Sequence, residues 1–454
     1  MDLRDAACRL IPNRRNARTV IHLAYPVTLG MTSFTLLSLV DTAMLGRLGA
    51  APLAASGIAG VLFFAVVFTL AGVGIGVQTL TARRFGERNE AECGRVVDSG
   101  LVLALVFGLP LTVAAPWIAR LCAPFLSPDA DVVLLGETYL RYRFYGAFLM
   151  IANWVLQGFF AGIGETRHQM VASILATGTN ILLDYALIFG RWGLPAMGIR
   201  GAAIASTIAI GIGLAYLVIV ARTHAHRERF GVLRRPIVFR RWIGPILRLS
   251  LPVIGQRAIS NGSWFAFFTI VGRIGTIELA ATNVIRSIYH LPIMLGIGMG
   301  TAAAALVGQG LGARTPDRAE RLGWEATKLA ALAMGLIGIL FVAVPSSILR
   351  IYTTDPAVIA AGRLPLLILG FVQALAGIAL VLTQALQGAG NTRFVMLAEL
   401  AVCGTLYLPA VYLLGLRARL GLVGAWAGEY LYWAALALIM GLKFSRGGWK
   451  RIVL

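Results

Sequence analysis

The sequence contains few charged residues, and acidic residues are scarcer than basic ones. Asp, Glu, Lys and Arg make up 13% of its 454 residues, only 20 residues are acidic, and 58% are hydrophobic. This small number of charged residues cannot cover the surface of a soluble protein of this length, which excludes a soluble protein. The mean hydropathy of +0.80 supports the same conclusion. The composition indicates an integral membrane protein.

Cysteine is also scarce. The four cysteines, at positions 8, 93, 122 and 403, have neither metal-ligand spacing nor a paired framework. This excludes a disulfide-stapled fold and a Cys-based zinc module. Glycine is abundant, with 52 residues, but the glycine-rich runs lie inside apolar segments, and no Lys-Ser or Lys-Thr follows them. We therefore interpret them as helix-packing positions and exclude a nucleotide-binding loop.

The chain repeats itself with a constant offset. Pro26 corresponds to Pro252, and the motif Gly-x-Gly-x-Thr-Arg at 162–167 recurs at 388–393, so that 252 − 26 = 393 − 167 = 226. Apolar runs near twenty residues, the length that spans a bilayer as a helix, occur twelve times. The predicted spans are 20–46, 53–81, 95–120, 133–160, 168–190, 197–221, 243–272, 279–308, 322–346, 361–387, 394–416 and 421–443.

These patterns predict an all-α polytopic membrane protein with twelve transmembrane helices in two six-helix bundles. An even number of spans per copy gives both copies the same orientation, which predicts pseudo-two-fold symmetry about the membrane normal. We expect an N-terminal lobe at 1–221, a cytoplasmic linker at 222–241 and a C-terminal lobe at 242–454. The first apolar run has full length and no cleavage site, so it is predicted to be retained as span 1.

The formal net charge of +20 is explained by where the basic residues lie. Arginines cluster in the segment 1–18, which resembles a basic amphipathic arm or a disordered tail, and in the linker. If both termini are cytoplasmic, most Lys and Arg residues fall on the cytoplasmic side, as the positive-inside rule requires. A basic face against anionic lipids accounts for the charge, and we expect no nucleic-acid partner.

An ionisable group inside a predicted span is costly and indicates a functional site, and Asp41 and Asp184 are the strongest candidates. Asp41 precedes Arg47, the predicted outer end of span 1, by six residues, and Asp184 precedes Arg191, the outer end of span 5, by seven. Both spans run outward. At 1.5 Å per residue, the two carboxyl groups are expected at the same depth, about 10 Å inside the outer boundary.

Further polar residues fall at this depth. Asn180 and Asp184 are four residues apart and share a helix face, and Thr207 lies seven residues into span 6. With Asp41 they predict an oxygen cluster for a proton or a hard cation such as sodium. Two neighbouring carboxyl groups should hold one proton firmly, because like charges resist simultaneous ionisation.

A structural role, in which these residues only bond across helices, is the alternative. The duplication favours a functional site, because packing needs should recur in both repeats and this cluster does not. The equivalent positions of the second repeat hold apolar residues. Asp41, Asn180 and Asp184 correspond there to Phe267, Leu406 and Ala410.

Other polar residues in the spans are weaker candidates. Asn153 and Gln157 lie one turn apart in span 4 and either line a cavity or make helix contacts. Pro26 and Pro252 each open a repeat and kink the first helix, either statically or as a bend used in transport. Arg257 in span 7 and Arg286 in span 8 either snorkel, pair with a carboxylate or face an aqueous cavity. Glu399 and Glu429 in the last two spans are expected to have structural or peripheral roles.

Over nearly its whole length, the chain resembles the multidrug and toxic compound extrusion (MATE) family. The resemblance rests on the twelve spans in two repeats, Pro26, the run 39–46 that ends span 1, the Asn180-x-x-x-Asp184 pair and the motif at 162–167. It implies two six-helix bundles forming a V around a central cleft. It also implies efflux of small-molecule drugs or toxins by antiport, driven by proton or sodium influx, without a cofactor and without enzymatic activity.

Within the family, the chain looks closest to the DinF-like branch, because span 7 lacks the carboxylate of the NorM-like branch. The resemblance places the coupling ion, a proton or possible sodium, at Asp41, Asn180 and Asp184. Either Ser206 or Thr207 serves as the hydroxyl of span 6. A substrate-pocket tyrosine that some members carry in span 1 is absent here, and Leu37 lies near the corresponding position. Our predicted substrate site consists of Ser33, Leu37, Asn153 and Gln157.

The resemblance further implies a monomer in the bacterial inner membrane. We propose alternating access, with ion binding at the aspartates bending span 1. A lipid-linked sugar flippase of related architecture is the alternative function, since Arg257 and Arg286 could bind a phosphate headgroup. An intramembrane aspartyl protease is the second rival, but the Gly-x-Gly-Asp context of such enzymes is missing around Asp184.

Overall fold

The structure is a computed structural model, which describes residues 13–125, 127–233 and 240–454. Most of the predicted basic arm, including Arg4 and Arg9, and the linker residues Arg234 and Arg235 lie outside the described residues. Within the described ranges the chain is almost entirely helical and contains no strand. The predicted all-α class is therefore confirmed.

Eighteen α-helices follow one another along the described chain. They are α1 Arg14–Gly46, α2 Ala50–Leu70, α3 Val73–Gly86, α4 Glu90–Val113, α5 Ala115–Cys122, α6 Ala130–Phe144, α7 Ala147–Ile163, α8 Thr166–Phe189, α9 Ile199–Ala221, α10 His224–Phe230, α11 Arg240–Ile274, α12 Thr276–Gly312, α13 Pro316–Ala343, α14 Pro345–Tyr352, α15 Pro356–Gly388, α16 Thr392–Val402, α17 Leu408–Tyr412 and α18 Gly421–Ser445. Two π-helical turns, Cys403–Tyr407 and Leu413–Arg417, continue α16 and α17.

Each of the twelve predicted spans corresponds to a helix or to consecutive helices. Among the described residues, ten are long and apolar enough to cross a membrane, and the bent pair α6–α7 makes an eleventh. The remaining predicted span is α11, whose 35 residues exceed the ~20 needed. Its apolar character is diluted by polar residues in its centre, among them Gln256 and Arg257. The prediction of a polytopic α-helical membrane protein is confirmed.

The duplication reappears in the helix boundaries. Five helices of the first repeat, α1, α2, α4, α6 and α8, begin at the positions equivalent to the starts of α11, α12, α13, α15 and α16. The starts of α6 and α15 have equivalent N-terminal caps. The Asp129 carboxylate accepts a hydrogen bond from the backbone N–H of Asp131 at 2.9 Å, and Asp355 accepts one from Ala357 at 2.8 Å. An aspartate at the N-cap satisfies an N–H group that the helix leaves unpaired.

The repeats differ in their fourth span. In the first repeat, α6 and α7 meet at a bend of 46°, whereas the corresponding part of the second repeat is the continuous helix α15. At the bend, the backbone N–H of Gly146 bonds to Arg143 O at 3.0 Å instead of to Tyr142 O. The freed Tyr142 carbonyl accepts the Thr207 hydroxyl at 3.1 Å. Insertion of a threonine side chain in this way is a common cause of a helix kink.

Packing divides the described chain into two compact units. One consists of Leu29–Ile254, and the other combines the described residues up to Thr28 with Gly255–Leu454. The first helix of each repeat is thus shared between units, and the division falls two residues after Pro26 and Pro252. Both prolines lie inside their helices, as predicted. The lobe boundaries at residues 221 and 242 follow from the duplication and stay a prediction.

Helices α3 and α7 approach each other through glycines. A Cβ atom at residue 158 would overlap the carbonyl oxygen of Gly74, and a Cβ at residue 74 would lie 2.5 Å from Trp154 O. We expect Gly158→Ala to force these backbones apart, because no side-chain rotation can remove the overlap. The expected cost is about 1–3 kcal/mol, measured as a lower midpoint of thermal unfolding in detergent.

Gly178 provides the matched control, because it also lies in an apolar helix but no atom is within 4 Å of a Cβ added there. Gly178→Ala should leave the midpoint unchanged or raise it, since alanine favours the helix by up to about 1 kcal/mol. Equal midpoints for both variants would show that the close approach of α3 and α7 contributes nothing to stability.

Candidate functional site

Asp41 and Asp184, predicted to lie at one depth, meet inside the unit Leu29–Ile254. Asp184 is completely buried on α8, Asp41 on α1 is half-buried, and their carboxyl groups are within hydrogen-bonding distance of each other. An ionised carboxylate can only accept a hydrogen bond, so a bond between two carboxyl groups requires one proton. The geometry therefore suits a pair that holds a single proton.

Asn180 lies next to this pair, as its spacing predicts. Its Nδ2 donates to Asp184 Oδ2 at 3.0 Å, and its Oδ1 accepts a hydrogen bond of 3.4 Å from the Ser206 hydroxyl. Asn180 is completely buried. The serine fixes which way the amide faces, and the amide in turn orients the carboxyl group of Asp184. The pair with Asn180 is called the carboxyl cluster below.

The carboxyl cluster has unused acceptor capacity. Oδ1 of Asp41 and Oδ1 of Asp184 are both buried, and neither accepts a hydrogen bond from a backbone, amide or alcohol donor of the described residues. Buried polar atoms in native proteins are almost always satisfied. The two oxygens thus suit a proton or an oxygen-coordinated cation.

Thr207, the hydroxyl that we predicted for the cluster, is not brought into it. Its hydroxyl caps the carbonyl freed at the α6–α7 bend, so it points to a different helix. Ser206, the neighbouring residue on α9, contacts Asn180 instead. The sequence left open which of the two residues faces the site, because the register of span 6 was not fixed by any motif.

Two site residues were missed by sequence reasoning, and both lie on α6. Arg143 is half-buried and interacts electrostatically with Asp41 and Asp184. Tyr139 lies one turn away and is 9% exposed. Its phenol group interacts electrostatically with Arg143, Asp41 and Asp184. Arg143 also lies over the ring of Phe63, 4.4 Å from its centre. The signal was present in the sequence, because Arg143 is an ionisable residue inside predicted span 4.

A polar face extends from the cluster along α8. The side chains at positions 169, 173, 177, 180 and 184 are all at most 5% exposed, and their spacings of four, four, three and four residues keep them on one side of the helix. Helix α1 lies against this face at Gly30, where a Cβ would be 3.1 Å from Ser173 Oγ. These five residues are Gln169, Ser173, Thr177, Asn180 and Asp184.

The predicted substrate residues lie along the same face. Gln157 donates to Asn153 Oδ1 at 2.5 Å, and Gln169 donates to Gln157 Oε1 at 2.9 Å. Ser33 accepts a hydrogen bond of 3.2 Å from Thr177. These contacts show the helix contacts of the earlier alternative, since Gln157 bonds to Asn153 on its own helix and to Gln169 on α8; a cavity at these residues stays a prediction.

Leu37, the fourth predicted substrate residue, is half-buried on α1. It lies one turn after Ser33 and one turn before Asp41 on the same helix, which is the spacing of a shared face. Its apolar side chain thus separates two polar positions of that face.

The second repeat replaces the cluster by apolar packing, as its sequence predicts. Phe267, the counterpart of Asp41, is completely buried, and its ring lies 5.4 Å from that of Trp426. Glu399 and Glu429, predicted to have structural or peripheral roles, are both only 2% exposed.

Glu399 and Glu429 are held by donors of their own unit. Glu399 accepts hydrogen bonds of 2.7 Å from both Ser260 and Tyr432, and Glu429 accepts one of 2.9 Å from Trp433. Their counterparts in the first repeat are Ser173 and Ala203. The buried carboxyl groups of Glu399 and Glu429 therefore lie at positions that do not correspond to Asp41 and Asp184.

Comparison with known proteins agrees with these features. The MatE family model matches residues 26–186 and 252–413, once in each repeat. A multidrug resistance protein NorM from Burkholderia vietnamiensis is 30% identical over 95% of this chain and 94% of its own length. A probable multidrug resistance protein NorM from Thermotoga maritima is 28% identical over 96% of this chain and 94% of its own.

A solved structure has the same fold. The MOP superfamily transporter from Pyrococcus furiosus superimposes with a TM-score of 0.88, covering 96% of this chain and 97% of that one at 22% identity. Together, the two matches of the family model and the similarity over the whole length of the NorM protein identify the family. The chain belongs to the MATE family of multi-pass membrane transporters and is not an enzyme.

Proposed function

We propose that the protein is a multidrug efflux antiporter of the bacterial inner membrane, exporting amphipathic, often cationic compounds by alternating access. Proton influx drives the export, with the carboxyl cluster as the coupling site. The observation that carries this proposal is the contact between the buried carboxyl groups of Asp41 and Asp184. The similarity to multidrug resistance proteins supports this substrate class.

A proton suits this site better than sodium does. The two carboxyl groups lie within hydrogen-bonding distance of each other, and a single proton satisfies that contact. Asn180 Oδ1 already accepts from Ser206, and Arg143 adds a positive charge nearby. Sodium is retained as the second coupling ion to be tested.

Binding and release of this proton can do useful work. A membrane potential of 100 mV contributes about 2.3 kcal/mol for each charge that moves inward. A cationic substrate leaving the cell opposes that drive by the same amount per charge. The cycle therefore needs either more protons than substrate charges or a pH gradient as well.

Residues of α1 and α7 that lie beside the polar face of α8 supply the other parts of the proposed cycle. Asn153 and Gln157, with Ser33 and Leu37, are our substrate-binding residues, because they join amide and hydroxyl groups to an apolar surface. Pro26, in the helix that carries Asp41, is the position at which α1 would bend when the cluster changes its charge. This role, and the matching one of Pro252, rests on the loss of a backbone hydrogen bond at each proline.

Efflux from proteoliposomes tests the function. Purified protein is reconstituted, and export of a cationic fluorescent dye is followed under a proton gradient, a sodium gradient, both gradients and neither. We expect efflux under the proton gradient alone, abolished by a protonophore. Efflux under the sodium gradient alone would show that the coupling ion is sodium and not a proton. No efflux under any gradient would overturn the antiport proposal.

The flippase alternative gains no support from the site. Arg286 lies 5.5 Å from the ring of Phe268 and is exposed, and the second arginine of that proposal, Arg257, is half-buried on another helix. The same proteoliposomes can include a fluorescent phospholipid. Gradient-dependent transfer of that lipid between leaflets, without dye efflux, would favour the flippase.

A further inference from the structure

Three potential metal ligands meet where the linker begins. Glu165 lies in the connection between α7 and α8, His168 in the first turn of α8, and His226 on the short linker helix α10. His226 Nε2 is 2.7 Å from Glu165 Oε2, and His168 Nε2 is 3.6 Å from the same oxygen. One ligand atom from each residue lies within 4.8 Å of the others. All three residues belong to the unit Leu29–Ile254.

The second nitrogen of each histidine ring is engaged by a hydroxyl group. His168 Nδ1 is 3.1 Å from the Tyr216 hydroxyl, and His226 Nδ1 is 3.0 Å from the Thr223 hydroxyl. Such partners fix the ring orientation and leave Nε2 to face the shared centre. Metal-binding histidines in proteins almost always donate their second ring N–H to a hydrogen-bond acceptor, a role that a hydroxyl oxygen can fill.

Aromatic side chains form an apolar wall behind the cluster. The ring of Phe160 lies 5.3 Å from His168 and 5.9 Å from His226, and Phe230 stacks on His226 at 6.0 Å. Phe160 and Phe230 are 0% and 2% exposed. The side chain of Glu165 is 33% exposed, so the cluster is closed on one side and open to solvent on the other. An ion could enter without unfolding the site.

We propose that Glu165, His168 and His226 bind a divalent transition metal ion, with zinc as the best fit. Two imidazoles and one carboxylate are a common zinc set, and water completes a tetrahedral site. Calcium and magnesium prefer oxygen ligands. The bound metal fixes α10, the start of the linker, to the connection between α7 and α8. This site is separate from the carboxyl cluster and adds a structural or regulatory ion to the transporter.

The distances suit this ion after a small adjustment. Ligand atoms about 2.0–2.1 Å from a tetrahedral zinc ion are about 3.3 Å apart. The pair His168–Glu165, at 3.6 Å, is close to that value. The pair His226–Glu165, at 2.7 Å, is in direct hydrogen-bond contact and must open by less than about 1 Å to reach the tetrahedral spacing. Rotation of the partly exposed Glu165 side chain can open this pair. The ligand nitrogens of the two histidines lie within 4.8 Å of each other and need a shift of at most about 1.5 Å.

Metal titration of the full-length protein tests the site. The tag is removed, the protein is stripped with EDTA, and binding of zinc is measured by calorimetry and binding of Co²⁺ by its visible absorption. We expect one ion per chain and a tetrahedral Co²⁺ spectrum, displaced by zinc. Zinc should also raise the midpoint of thermal unfolding. His168→Ala and His226→Ala should each abolish the spectrum and the shift.

The chain offers a matched control on the same helix. His224 is paired with Glu228 at 3.2 Å, but its side chain is 87% exposed, and His224→Ala should bind metal like the wild type.

Tyr216→Phe removes a hydroxyl partner of His168 and should weaken binding about 10-fold. Glu165→Gln keeps the shape of the side chain and should also weaken binding, which covers the case in which an alanine variant fails to fold.

Three outcomes would overturn the proposal. The first is the absence of stoichiometric binding by the wild-type protein. The second is a tetrahedral Co²⁺ spectrum that persists in both histidine variants, which would place the metal elsewhere. The third is a lower unfolding midpoint in His226→Ala without any increase by zinc in the wild type, which would make the cluster only an ion pair. None of these results depends on whether the protein transports drugs.

Discussion

Asp184→Asn should reduce gradient-driven dye efflux to the level of protein-free liposomes, while dye binding to the detergent-solubilised protein persists. The amide keeps the size of the side chain and can still contact Asn180, but it cannot gain or lose a proton. If the carboxyl cluster couples transport to proton influx, the cycle loses its driving ion and keeps its substrate site. Measuring dye affinity by fluorescence polarisation, beside efflux, separates the two functions.

Asp41→Asn should have the same effect, and the double variant should be no worse than either single one. Residues that act as one unit give strongly non-additive effects, because the first substitution already removes the shared function. Asp98→Asn is the matched control. It removes a carboxyl group of the same unit, one that accepts a hydrogen bond of 3.0 Å from Leu233 N, and efflux should be unchanged.

Three results would contradict the coupling site. Normal gradient-driven efflux in both single variants would exclude the pair, and equal losses in Asp98→Asn would show that any removed acidic group impairs the protein. Loss of dye binding in Asp184→Asn, together with loss of efflux, would assign the residue to the substrate site instead.

The sequence predicted the parts of this site that depend on position along a helix. Two aspartates at the same distance from the outer ends of two outward spans must lie at one depth, and the spacing of Asn180 and Asp184 places them on one face. The duplication supplied the helix boundaries, because a single offset relates five helix starts of the first repeat to five of the second. It also identified which polar positions are not required by packing.

Contacts between helices were harder to predict. Which face of α9 turns toward α8 depends on the register of packing, so Ser206 and Thr207 could not be distinguished before the bend between α6 and α7 was known. The cluster of Glu165, His168 and His226 was missed for a similar reason. Its first two ligands are close in sequence, but the third lies far along the chain, on a helix outside the predicted spans.

The buried carboxyl groups of the second repeat show the limit of comparing the repeats position by position. That comparison indicated only that the positions equivalent to Asp41, Asn180 and Asp184 are apolar. Glu399 and Glu429 are buried at positions whose counterparts are Ser173 and Ala203, so the comparison could not find them. After duplication, each copy placed its buried carboxyl groups independently. Absence of a residue at one position therefore does not exclude the same chemistry elsewhere in the copy.

Arg143→Gln should move the pH dependence of efflux to higher pH by about one unit or more. Arg143 is the basic residue that interacts with both Asp41 and Asp184, and its positive charge opposes their protonation. Without that charge, the pair should keep its proton at neutral pH, so that the cycle stalls in the protonated state. Efflux should then recover when the pH on the release side is raised, since a neighbouring charge changes proton affinity by this order of magnitude.

Arg143→Lys tests whether the charge is what matters, and Arg141→Gln is the control for the loss of an arginine. Lysine keeps the charge and should retain a nearly normal pH profile. Arg141 lies on the same helix but is exposed, with its Nε donating to the Tyr145 hydroxyl at 3.3 Å, so its substitution should leave the profile unchanged. An unshifted profile in Arg143→Gln would mean that Arg143 does not adjust the charge of the carboxyl cluster.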